Sequence, residues 1–124
     1  MLGNSSSYPC IAVKDLEAAK TFYGEKLGLQ YEDTKHAAGI FFKSGSTKFF
    51  VYQSQFAGTN QATAMSWEVS DVKAAVEEVK AKGITFESYD IPNATKDGDV
   101  HVIGSLQSAW FKDPDGNILN IVNN

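Results

Sequence analysis

Residues Ile11 to Ala19 read I-A-V-K-D-L-E-A-A, and residues Trp67 to Ala75 read W-E-V-S-D-V-K-A-A. At an offset of 56 residues Val13 aligns with Val69, Asp15 with Asp71, Ala18 and Ala19 with Ala74 and Ala75, and Lys26 with Lys82. Self-similarity over so much of a short chain means two copies of one supersecondary unit, which bury their apolar faces against each other.

Within the first copy, Cys10 to Val13 has strand character, and Asp15 is placed to accept from the amides of a first helical turn. Leu16, Ala19, Phe22, Tyr23 and Leu27 then fall at helical spacing, which predicts a helix over Leu16–Leu27 ended by Gly28. Strands are predicted at 29–33, 39–43 and 47–53, the last two joined through Ser44-Gly45-Ser46 as a tight hairpin. The unit reads β-α-β-β-β. A polar connector, 55–62, leads to the second copy. There a strand over 63–69 and the cap Asp71 precede a helix with Val72, Ala75, Val76 and Val79 as its stripe and Gly83 as its stop. A strand is predicted over 84–89. The stretch 91–106 is poorly periodic and predicts an irregular loop of the length that often serves function. Strands over 108–112 and 118–122 close the unit around D-P-D-G-N at 113–117.

At 124 residues, with 43% hydrophobic and 21% charged residues, the chain predicts one domain, 1–124, with a core that needs no disulfide or metal. The modules are expected at about 8–54 and about 63–123. A net charge of −4 gives no electrostatic reason to expect nucleic acid or an anionic membrane as partner. No apolar run nears the roughly 20 residues of a spanning helix, and M-L-G-N-S-S-S-Y at 1–8 reads as a short flexible lead-in and not as a signal peptide. Cys10 is the one cysteine, which fits a reducing, cytoplasmic location.

The run V-K-D-L-E-A-A-K-T-F-Y-G-E-K-L-G-L (13–29) and the ending W-F-K-D-P-D-G-N-I-L-N-I-V (110–122) together resemble the vicinal oxygen chelate superfamily. That superfamily includes glyoxalase I, extradiol dioxygenases, fosfomycin resistance enzymes and bleomycin resistance proteins. The resemblance covers residues 8 to 123 and implies an α+β fold. In it two tandem βαβββ modules form a curled mixed sheet around a shared cavity, commonly in a homodimer. It fixes fold far better than function. Enzymes of the family hold a divalent metal through His, Gln or Glu on four strands, and the matching positions here are Tyr8, Phe50, Ala64 and Asn120. Phenylalanine and alanine offer no lone pair, tyrosine is normally protonated and asparagine is a weak neutral ligand. About three or four strong donors are needed, so the resemblance here implies no metal and no cofactor.

Among the remaining candidates, His36 reads as a solvated turn residue, and His101 as either a loop residue or a ligand-contact or acid–base group. Cys10 should share a face with Tyr8 and Ala12 and reads as a small buried thiol. Glu68 falls in phase with Ala64 and Ser66. It is either a buried base or counter-ion, or a solvated residue at the strand's wet end beside Lys48. Phe50 and Tyr52 share one strand face while Phe49 and Val51 take the other, and Trp110, rather than Phe111, is expected in the cavity. An aromatic-lined pocket built from Tyr8, Phe50, Tyr52 and Trp110 suits a planar or cationic ligand, plain core packing being the other reading.

These residues predict a metal-independent protein that binds a small organic ligand. Its contacts are Tyr8, Phe50, Tyr52, Glu68, His101, Trp110 and Asn120, with the 91–106 stretch as a lid. The alternative is an enzyme of glyoxalase, lyase or dioxygenase type, metal-dependent or metal-free with Glu68 or His101 as acid–base group. A dimerising interaction module with a vestigial cavity is a third reading.

Overall fold

Asp15 and Asp71, the repeated aspartates, open the two helices as N-caps. Asp15 Oδ1 accepts from the Glu17 amide at 2.9 Å and Asp71 Oδ1 from the Ala74 amide at 3.1 Å. In the computed structural model, which describes residues 1–33 and 39–124, the chain forms two compact units, Met1–Gly58 and Thr59–Asn124. His36 lies outside the described residues.

In the first unit β1 (Cys10–Val13) runs parallel to β4 (Thr47–Gln53), β4 pairs antiparallel with β3 (Gly39–Ser44), and β3 with β2 (Gln30–Asp33). Helix α1 (Leu16–Ala19) continues directly into a π-helical stretch, Lys20–Lys26. Its wider turn brings consecutive Phe22 and Tyr23 into the core, edge to face at 5.0 Å. They meet the helix-side residues of the sheet, Ile11, Val13, Ile40, Phe42, Phe49 and Val51, all buried. Each such side chain taken fully out of water stabilises by about 1.5–3 kcal/mol.

In the second unit β5 (Thr63–Val69) runs parallel to β10 (Ile118–Asn123), followed across the sheet by β9 (Leu106–Lys112), β8 (Val100–Ile103) and β7 (Thr95–Asp97), with short β6 (Phe86–Glu87) also on β9. Helix α2 (Val72–Lys80) buries Val72 and Val76 on the side of Ala109, Phe111, Leu119 and Ile121. The D-P-D-G-N turn closes through Asp113, whose Oδ1 accepts from the amides of Asp115 and Asn117, both at 2.9 Å.

Two expectations are corrected. The α+β class holds, but the curled mixed sheet does not form. Among the described residues the strands make two separate open sheets, of orders β1-β4-β3-β2 and β5-β10-β9-β8-β7, neither of them curled. Nor is the second unit βαβββ, because 91–106 is not an irregular lid. It contains the β7–β8 hairpin, and Ile103 turns directly into β9. The turns are Gly98-Asp99 and Gly104-Ser105, with Gly98 at φ +62° and Gly104 at φ +58°, the conformation a two-residue hairpin loop asks of its first residue. Helix α2 tethers this hairpin by the ion pairs Lys73–Asp97 and Lys80–Asp99, the second at 3.0 Å. The hydrogen bond and charge of each aspartate hold its lysine above the ordinary lysine pKa. Among the described residues no helix is long and apolar enough to cross a membrane.

Candidate functional site

Each sheet has one face packed by its helix and one without. In the first unit the strand register sets Cys10 beside Phe50, Ala12 beside Tyr52, and Phe41 beside Phe50 on the helix-free face. Tyr8, just ahead of β1, joins them. The rings form a contiguous group: Tyr8 and Phe41 lie edge to face at 5.0 Å, and Phe41 and Phe50 are tilted by 48° with centroids at 4.8 Å. Phe50 and Tyr52 are nearly parallel, 6° apart with centroids at 6.2 Å. Phe41, Phe50 and Tyr52 are half-buried and Tyr8 is exposed. Cys10 is exposed on this face, not buried as the sequence reading held. Phe41 was not singled out from sequence; its place opposite Phe50 is set by the hairpin register, in which Ser44 pairs with Thr47 and the loop is Gly45-Ser46.

Lys48 belongs to the same group. Its ammonium lies 4.7 Å from the Phe41 ring centroid and 5.6 Å from that of Tyr8, within cation–π range. Around the β3–β4 turn, Ser6, Ser7, Lys43, Gly45, Ser46, Thr47 and Lys48 line a pocket of about 610 Å³.

In the second unit the helix-free face carries Trp110, which stands opposite Asn120 in the ladder, while neighbouring Phe111 is buried toward α2. Trp110 Nε1 donates to Thr63 Oγ1 at 3.1 Å. A depression of about 250 Å³ is lined by Gln61, Ala62, Thr63, Tyr89, Ile91, Trp110 and Ile118, just under the roughly 300 Å³ at which small-molecule sites commonly begin. Glu68 is exposed. Asn120 is buried, its amide nitrogen donating to Ser108 Oγ and to the Ala109 carbonyl.

His101 sits in β8, not in a loop, and is 2% exposed. Its ring packs edge to face on Trp110 at 5.0 Å. The Tyr89 amide donates to His101 Nε2 at 3.0 Å, an arrangement that places the ring proton on Nδ1. The Tyr89 carbonyl also lies 3.1 Å from Nε2 and would be the partner in the other tautomer. In either case His101 Nδ1, like Tyr89 Oη, is buried with no hydrogen-bond partner among the described residues. Tyr89 ends the strand predicted over 84–89 but was not singled out; the strand formed there is only Phe86–Glu87, which leaves Tyr89 beyond it.

The residues at the metal positions of the resembled family do not fit a metal. Phe50 and Ala64 supply no donor atom, and at Asn120, whose nitrogen donates to Ser108 and Ala109, the donor is a neutral amide oxygen, a weak ligand. Among the described residues no three His, Cys, Asp or Glu side chains come together as a ligand set.

A family model described as "Glyoxalase/Bleomycin resistance protein/Dioxygenase superfamily" matches residues 6–121. The fold is similar to a genomically encoded fosfomycin resistance protein from Listeria monocytogenes, with TM-score 0.72, 15% identity, and 98% of this chain and 93% of that one covered. It is similar to lactoylglutathione lyase from Agrobacterium tumefaciens (TM-score 0.70, 19% identity, coverage 98% and 94%) and to a glyoxalase family protein from Enterococcus faecalis (0.69, 21%, 98% and 99%). A comparison with curated protein sequences finds no match. Likeness at these identities speaks for the fold alone. The family model, spanning nearly the whole chain, goes further: this chain belongs to the glyoxalase/bleomycin resistance protein/dioxygenase superfamily.

Proposed function

We propose that this chain binds a small planar organic molecule, without a metal, on the aromatic face of its first unit. The observation that carries this reading is the group Tyr8, Phe41, Phe50 and Tyr52, left half-buried or exposed while Phe42, Phe49 and Val51 are sealed in the core. Ring faces left open in this way are available for stacking, worth about 0.5–1.5 kcal/mol beyond the area buried. The ammonium of Lys48 already lies over Tyr8 and Phe41, so the ligand is neutral or anionic and not the cation the aromatics alone would suit. In a second reading the ligand occupies the depression beside Trp110 and Tyr89; of the contacts expected from sequence Trp110 lines it, while Glu68, His101 and Asn120 are not among its lining residues. The buried Tyr89 Oη, which has no hydrogen-bond partner among the described residues, favours a ligand with a hydrogen-bonding group in that depression. An acid–base enzyme has less support, because Glu68 is exposed and His101 Nε2 is engaged by the Tyr89 backbone. The resemblance supports a homodimer, which light scattering on the purified protein tests.

The experiment is a fluorescence titration of chelator-treated protein with N-phenyl-1-naphthylamine, a neutral planar probe. Saturable binding is expected, weakened roughly two- to tenfold by Phe50→Ala or Tyr52→Leu, and unmoved by added Zn²⁺ or Mn²⁺. Absence of saturation, or binding only after metal is added, contradicts the reading.

A further inference from the structure

Lys43 and Lys48 face each other across the β3–β4 hairpin as directly paired residues, with side chains on the same sheet face. Like charges in that relation repel and weaken a hairpin unless something of opposite sign lies between or beside them. Glu32 meets one of them, Lys43, at 3.1 Å. Lys48 turns its ammonium to aromatic rings instead. The site therefore keeps net positive character in a chain of net charge −4. It is also a concavity of about 610 Å³ with hydroxyls of Ser6, Ser7, Ser46 and Thr47 on its wall. Thr47 Oγ1 donates to the Ser44 carbonyl at 2.8 Å, which commits its single proton and leaves the serines as the hydroxyl donors. Two lysines, one shared with Glu32 and one lying over aromatic rings, and serine hydroxyls lining one hollow supply the recognition chemistry of an oxyanion.

We propose that this pocket is an oxyanion site that takes the carboxylate, phosphate or sulfonate of a ligand whose planar part lies on the adjoining aromatic face. Lys48 joins the two halves, since it lines the pocket and covers Tyr8 and Phe41. The inference rests on the aromatic reading for the planar half and on the lysine pair for the charged half. The ligand class is then a planar organic anion.

The test compares two probes with the same ring system, 1-anilinonaphthalene-8-sulfonate and neutral N-phenyl-1-naphthylamine, on the full chain. The sulfonate is expected to bind more tightly and to lose affinity with rising salt. Lys43→Met should weaken it about two- to fivefold, the range for an exposed charge pair, and leave the neutral probe unchanged. Glu32→Gln should strengthen the sulfonate. Competition by inorganic phosphate against the sulfonate alone identifies the oxyanion as the recognised group. Equal affinity for the two probes, or a sulfonate affinity indifferent to both substitutions, overturns the proposal. If the neutral probe fails to bind while the sulfonate remains lysine-dependent, the aromatic reading falls and the oxyanion site stands.

Discussion

Gly39 lies directly beneath the ring of Phe50, so that a Cβ at position 39 would overlap both that ring and the Val51 carbonyl. The missing side chain is what lets the ring lie across β3 and form the 4.8 Å contact with Phe41. Gly39→Ala should cost about 1–3 kcal/mol, the usual range for forced overpacking, and displace the Phe50 ring. Chemical denaturation and binding of the neutral probe should both register the change. Unaltered stability would show that the ring is free to move aside.

The two capping aspartates give a second prediction. Asp15→Ala and Asp71→Ala should each destabilise by about 0.5–2 kcal/mol, because each removes an acceptor from a first-turn amide. Hydrogen exchange should rise first in the helix that lost its cap.

Tyr89→Phe removes a buried hydroxyl that has no hydrogen-bond partner among the described residues. Leaving such a group unsatisfied costs about 1–3 kcal/mol, so the substitution should leave Tm unchanged or raise it. A clear loss of stability would mean that the hydroxyl is satisfied in solution, by water or by a ligand.

The β7–β8 hairpin should loosen from α2 at high pH. Asp97 and Asp99 raise Lys73 and Lys80, so each lysine binds its proton more firmly when folded. The stabilisation is fully present below the ordinary lysine pKa and disappears as pH rises through the raised one. Both groups are exposed, so the effect is small and weakened by salt. Exchange rates in 95–103, corrected for intrinsic pH dependence, should increase there and in Lys73→Met at neutral pH.

What the sequence made legible was local chemistry. The repeated Asp caps, the D-P-D-G-N turn and the alternation of Phe49, Phe50, Val51 and Tyr52 each act over a few residues and survive unaltered in the fold. The β7–β8 hairpin was obscured because Thr95-Lys96-Asp97 is polar throughout and exposed, with no alternation to mark a strand. Its Gly98-Asp99 and Gly104-Ser105 turns were the readable signal. The curled sheet failed because it depends on ladder pairing between distant strands, which no local pattern encodes. Of the candidate site, Phe50 and Tyr52 were legible by phase, whereas the buried setting of His101 depends on Tyr89, twelve residues earlier and outside any strand.

The most direct measurement is amide-resolved NMR of chelator-treated protein during addition of N-phenyl-1-naphthylamine. The predicted result is a saturable set of shifts centred on Cys10, Phe41, Phe50 and Tyr52, identical with and without Zn²⁺. Shifts confined to Tyr89 and Trp110, or appearing only when metal is present, would contradict it.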